Sequence, residues 1–201
     1  MNRGLFARSS VTWIAVTVAA VLLGACSSSG STTLEDAKQI DCRGSDALLL
    51  AFQAVPSATY VPCITAIPVG WSFGGSQIRN GRVQFWLNSD RAGWHAAEVT
   101  LEPACDTSAA VKTSTTAPPE PGISRFEQPI SLPPRFVLDR FDVFAGGCVT
   151  YHYDFQRGAS SLLVFEVDQA LSFFTRTLAV RKVKEQIGMT LCGAEAPPCP
   201  G

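Results

Sequence analysis

The sequence predicts an α+β domain: an antiparallel meander sheet of five or six strands with helices packed on one face, stapled by disulfides. Three observations carry that prediction. Asn80-Gly81 stands between two extended runs, Trp71 to Arg79 and Arg82 to Asn88, and Asn-Gly best tolerates the positive φ angles of a type I′ hairpin turn. Ala145-Gly146-Gly147 separates two more such runs, 136–144 and 148–155. After Arg157-Gly158 the apolar spacing changes from a strand period to a helical one.

The chain starts with the three parts of an export signal. Arg3 and Arg8 supply positive charge, Val11 to Leu23 an apolar core, and small residues follow. The core is shorter than the roughly 20 residues of a membrane span. Leu23-Gly24-Ala25-Cys26 resembles the lipobox of bacterial lipoproteins. That resemblance implies a signal peptide over 1–25, cleavage before Cys26, and a diacylglyceryl group on its sulfur, so that acyl chains of the palmitate kind anchor the protein on the extracytoplasmic face of the cell membrane. Each buried CH₂ contributes about 0.8 kcal/mol, so two or more chains hold where one is marginal. An ordinary cleaved signal, with Cys26 merely nearby, is the simpler competing reading. The Ser/Gly/Thr-rich run after Cys26 reads as a tether over 26–40.

A single domain over 41–193 follows. Ser45 or Asp46 caps a short helix bearing Leu48, Leu49 and Phe52 on one side, and Pro56 stops it. Tyr60 to Ile67, punctuated by Pro62 and Pro68, reads as an extended connection. Beyond the Asn-Gly hairpin, Asp90-Arg91-Ala92-Gly93 turns the chain into Trp94 to Glu102, where the alternation puts His95 on the core side with Ala97, Val99 and Leu101. The Ser/Thr/Ala/Pro-rich stretch 106–122 is an exposed loop inside the domain, and Phe126 to Leu132 an edge strand flanked by prolines. In 148–155, Val149, Tyr151, Tyr153 and Phe155 form an aromatic face, while Cys148, Thr150, His152 and Asp154 form a polar one. Leu163, Val167, Ala170, Leu171 and Phe174 fall at helical spacing; Leu178 or Val180, Val183 and Ile187 continue a second stripe to a stop at Gly188. The basic run Arg181-Lys182-Val183-Lys184-Glu185 is most simply the wet face of that helix, and near a membrane it leans towards anionic lipid. Met189 to Cys192 reads as a last short strand, and 194–201 as an irregular tail.

Cysteine arithmetic agrees with export. Of 7 Cys, removing Cys26 leaves an even set, Cys42, Cys63, Cys105, Cys148, Cys192 and Cys199, which in an oxidising compartment reads as three disulfides. Sequential pairing is expected because short loops meet most often, although Cys199 can equally reach back past Cys192 into the domain. The thiols lack Cys-x-x-Cys spacing, so no metal site is expected, and nothing implies a cofactor. The formal charge of −1 falls to −3 once Arg3 and Arg8 leave, which gives no surplus to attract nucleic acid. The strand Gly146-Gly147-Cys148-Val149-Thr150-Tyr151 is similar to one in uncharacterised envelope lipoproteins of GC-rich Gram-positive bacteria; the resemblance brings no activity with it.

Catalytic signatures are missing: no Gly-x-Ser-x-Gly elbow, Ser-x-x-Lys or His-Glu-x-x-His, and Gly74-Gly75-Ser76 lacks the helix and Lys of a phosphate loop. The expectation is a membrane-anchored, non-enzymatic envelope lipoprotein whose partner is an envelope protein or cell-wall glycan. Trp71, Trp86 and Trp94, all on the first predicted sheet, are candidates to stack on sugars, with core packing the simpler role. The alternative is an exported hydrolase using His152 and Asp154, which an extended strand projects to one side about 7 Å apart. A solvent-facing strand surface is the simpler reading of that pair, because His and Asp at i, i+2 occur freely on exposed faces.

Overall fold

The computed structural model describes residues 39–113, 120–194 and 198–199. The signal peptide, Cys26 and the tether up to residue 38 lie outside the described residues. In chain order the elements are α1 (Asp46–Ala54), β1 (Tyr60–Ile64), β2 (Trp71–Arg79), β3 (Arg82–Ser89), β4 (Gly93–Glu102), β5 (Val111–Lys112), β6 (Ser124–Ser131), β7 (Val137–Phe144), β8 (Gly147–Asp154), α2 (Leu163–Ala170), β9 (Leu171–Thr175) and α3 (Arg176–Ile187). Both hairpins form where the turn residues place them. Arg79 pairs with Arg82 around Asn80-Gly81, and Phe144 pairs with Gly147 around Ala145-Gly146. At the second turn Gly146 holds φ 72, and a Cβ there would run into the Ser57 carbonyl.

The strands form a seven-stranded antiparallel sheet of order β2-β3-β4-β8-β7-β6-β5 and a separate two-stranded sheet, β1-β9. The large sheet exceeds the expected five or six strands because the polar loop contains β5, which pairs with Phe126 and Glu127 of β6, so β6 is flanked there rather than at the edge. Strand β9, in the small sheet, differs from expectation as well. A helix is expected to run on to Phe174, but α2 stops at Ala170 and Leu171-Ser172-Phe173-Phe174-Thr175 is a strand paired with β1, Val61 facing Phe174 and Pro62 facing Phe173. Tertiary pairing of this aromatic, Thr-terminated segment overrides the helical spacing of two apolar residues. Thr175 then serves both elements, ending β9 and capping α3 by accepting from the Leu178 N–H.

The helices are not clearly packed as a single layer on one face of the sheet: α2 and α3 contact β9, which joins them in the chain, and α1 reaches β1, β2 and β3. Register places Phe85, Val99 and Tyr151 side by side on one face of the large sheet, in one core with Leu48 and Phe52 of α1, Val167 of α2 and Val183 of α3. Each such side chain contributes about 1.5–3 kcal/mol through burial. Ile40 is also fully buried, and its carbonyl accepts from Ile64 N, so the folded domain begins inside the span expected to be tether. Met189 to Cys192 is not a strand; that segment is tied down instead by Ala194 N–H donating to the Pro56 carbonyl.

All three disulfides are sequential: Cys42–Cys63, Cys105–Cys148 and Cys192–Cys199. Near the last of these, Arg176 is fully buried and donates to the carbonyls of Phe52, Val55, Ala58 and Cys192, fastening the end of α1 to the start of α3. On the inner face of β6 and β7, Arg125 makes a two-pronged bond to the fully buried Asp142, and Arg140 bridges Glu127 and Asp168. Burial opposes the Arg125 charge, yet the hydrogen bonds and charge of Asp142 outweigh it and raise its pKa. The neighbouring Tyr151 and Tyr153 hydroxyls are pushed above the usual phenol range, first by burial.

A candidate binding face on the outer side of the sheet

On the face opposite the core, register alone aligns one row of side chains. Gly75 faces Trp86, Trp86 faces Glu98, Glu98 faces His152, His152 faces Asp139, and Asp139 faces Gln128. Directly paired residues of antiparallel strands project to the same side, about 5 Å apart. The row therefore presents an indole, a carboxylate, an imidazole, a second carboxylate and an amide in sequence. His152 Nδ1 lies 2.6 Å from Asp139 Oδ1. Among the described residues no hydrogen bond or ion pair reaches the Glu98 carboxylate, so it is available as an acceptor.

The aromatic end of the row is built by two irregularities. On β2 the pairing steps from Phe73–Leu87 to Gly75–Trp86, so Gly74 is an extra residue and the Trp86 indole lies where a Cβ on Gly74 or Gly75 would sit. On β4 Leu87 faces Ala97 while Ser89 faces Gly93; Asn88 alone stands against Trp94, His95 and Ala96. Within that bulge His95 takes the left-handed conformation, φ 50, and its backbone N–H donates to Asn88 Oδ1 at 2.8 Å. The bulge reverses the expected alternation and carries His95 out of the core side to an exposed position.

Exposed there, the imidazole fills the space between two indoles. Its centroid is 4.9 Å from that of Trp86 and 5.5 Å from that of Trp94, nearly parallel to Trp94 at 19°. Trp94 is 76% exposed, so the outer surface of this pile is a free, pre-oriented aromatic plane. Among the described residues no acceptor meets the buried Trp86 Nε1–H.

The three candidate Trp residues thus separate. Trp86 and Trp94 share the pile, whereas Trp71 is only 7% exposed and donates from Nε1 to Glu166 Oε2 at 2.7 Å. Glu166 is held below the usual carboxylate range by Arg91 and then by Trp71. The structure also separates His152 from Asp154: the first pairs with Asp139, the second accepts two bonds from Arg135. Among the described residues no group of three or more His, Cys, Asp or Glu is arranged to hold a metal ion. Sequence reading missed Glu98 and Asp139 because their membership of the row depends on pairing across three strands. For Asp139 a signal was present, since a two-residue turn at Ala145-Gly146 sets it opposite His152.

No known protein family matches the chain, and no curated protein matches it. A crystal structure from Bacteroides thetaiotaomicron is similar to 67% of this chain, over 61% of its own length, at 9% identity and a TM-score of 0.30. The chain thus spans less than two thirds of that protein, and a likeness of this degree carries no argument about function.

Proposed function

We propose that the protein is a membrane-anchored, non-enzymatic envelope lipoprotein whose outer sheet face binds a component of the cell wall, a glycan fitting that face best. The exposed Trp94 plane, held in place by His95 and Trp86, is the observation that carries this reading. Sugars stack their C–H faces on such planes, and Glu98, His152, Asp139 and Gln128 continue from it as acceptors and donors about 5 Å apart. The leader and the Leu23-Gly24-Ala25-Cys26 motif support the address.

A hydrolase reading has less support. The carboxylate bonded to His152 is Asp139, not Asp154, and no hydroxyl nucleophile among the described residues is hydrogen-bonded to His152. Sedimentation of the mature chain with purified wall sacculi is the direct test. Trp94→Ala is expected to weaken co-sedimentation at least tenfold, on the order of a stacked ring's contribution, with an unchanged melting temperature because the side chain is exposed. Unchanged binding in that variant, or release of wall fragments that stops in His152→Ala, would overturn the proposal.

A further inference from the structure

Several exposed arginines of this domain are matched by acids, Arg43 by Asp41, Arg82 by Glu102, Arg91 by Glu166 and Arg135 by Asp154, while Arg79 and Arg157 are exposed singly, without an ion pair among the described residues. Helix α3 departs from that pattern. Val183 and Ala179 turn inward, while Arg181 and Lys184 are exposed, and among the described residues Arg181, Lys182 and Lys184 make no ion pair. Glu185 is the single acid in the run. In a chain of formal charge −1 this is a local positive surface.

Its position gives it meaning. Lys182 Nζ donates to the Arg43 carbonyl, and Arg43 lies in the turn just before α1, whose cap Ser45 also bonds to the Gln39 carbonyl. The basic surface therefore adjoins the point where the chain passes into the domain from the Cys26 side. Only twelve residues separate Cys26 from Gln39, which limits their reach to about 45 Å however they are arranged. If Cys26 is acylated, that reach lets this end of the domain come down to anionic headgroups, whose negative potential is felt within a Debye length, about 8–10 Å.

We propose that Arg181, Lys182 and Lys184 form a docking surface for the anionic headgroups of the membrane in which the chain is anchored; Arg43 beside them is already paired with Asp41 and adds no free charge. The inference rests on the anchor reading, and it adds an orientation: the α1–α3 end sits down on the bilayer. Because the anchor already supplies the second attachment, a weak electrostatic contact is enough to bias the pose.

The test couples the mature chain through the Cys26 thiol to maleimide lipid, so that docking is measured whether or not the cell acylates Cys26. Zwitterionic vesicles are compared with vesicles containing phosphatidylglycerol. An impermeant amine reagent then labels Lys182 and Lys184, with exposed Lys112 of β5 as internal reference, and mass spectrometry reads each site. On anionic vesicles labelling of Lys182 and Lys184 relative to Lys112 is expected to slow roughly tenfold, to recover in high salt, and to recover in Arg181→Gln/Lys184→Gln when read at Lys182. Equal labelling on both vesicle types overturns the proposal, as does equal slowing on both, since the contact is then not electrostatic. Protection of the coupled chain, together with failure of the natural chain to associate with membranes, would remove the anchor reading and leave the docking surface standing.

Discussion

His95 sits at φ 50, where an L side chain costs about 1–2 kcal/mol relative to a right-handed conformation. The bulge has this residue rather than the glycine that would adopt the angle freely, and the ring it carries separates two indoles. His95→Gly is therefore expected to leave the domain as stable as before, or more stable by up to about 1 kcal/mol, while wall binding falls because Trp94 loses the surface it stacks on. Urea unfolding and sacculus co-sedimentation measure the two effects on one sample; a destabilised variant that binds normally would show that the ring serves packing alone. Arg176 is the opposite kind of residue. Four backbone carbonyls depend on one buried guanidinium, so Arg176→Met leaves buried acceptors unmet and is expected to cost about 3 kcal/mol or more in urea unfolding. A loss within experimental error would mean that those carbonyls find other donors.

At the scale of elements, the three disulfides should not be equal. Their sequence separations are 43, 21 and 7 residues, and loop entropy scales with the logarithm of that length. Removing Cys105–Cys148 by paired Ala substitution should cost about 4 kcal/mol, Cys42–Cys63 about 3, and Cys192–Cys199 least. Thermal melts of the three double variants give the order, and a most damaging loss of the shortest link would contradict it. Both hairpins were legible in the sequence because Asn80-Gly81 and Ala145-Gly146-Gly147 state the turn locally, and α3 was legible because Gly188, at φ 68, marks its stop. Strand β9 was not legible, since Leu171 and Phe174 suit a helix stripe and a strand about equally, and the choice is made by β1, about 110 residues earlier. His95 was misread for a related reason: period-two alternation holds only while register holds, and two extra residues opposite Asn88 break it. Among candidate residues, His152, Trp86 and Trp94 could be named from sequence, whereas Glu98 needed the β4–β8 pairing that no local signal specifies.

For the whole molecule the leading expectation concerns location. Cys26→Ala removes the only sulfur that the leader motif offers for acylation, and the variant is expected to move from the detergent phase to the aqueous phase on phase partitioning, either unprocessed or released. Continued detergent partitioning after signal cleavage would place the anchor elsewhere. The domain's own order of assembly follows from the β1–β9 ladder. Strand β1 is made early, but its partner begins at Leu171, after every strand of the large sheet has already emerged from the ribosome. Until then the apolar edge of β1 and the carbonyls later gathered by Arg176 have nothing to bind. A chain threaded N-terminus first through a narrow channel would thus leave the β1 end of the domain open after the strands of the large sheet have passed; the stretch from Leu171 onward, on arrival, closes it.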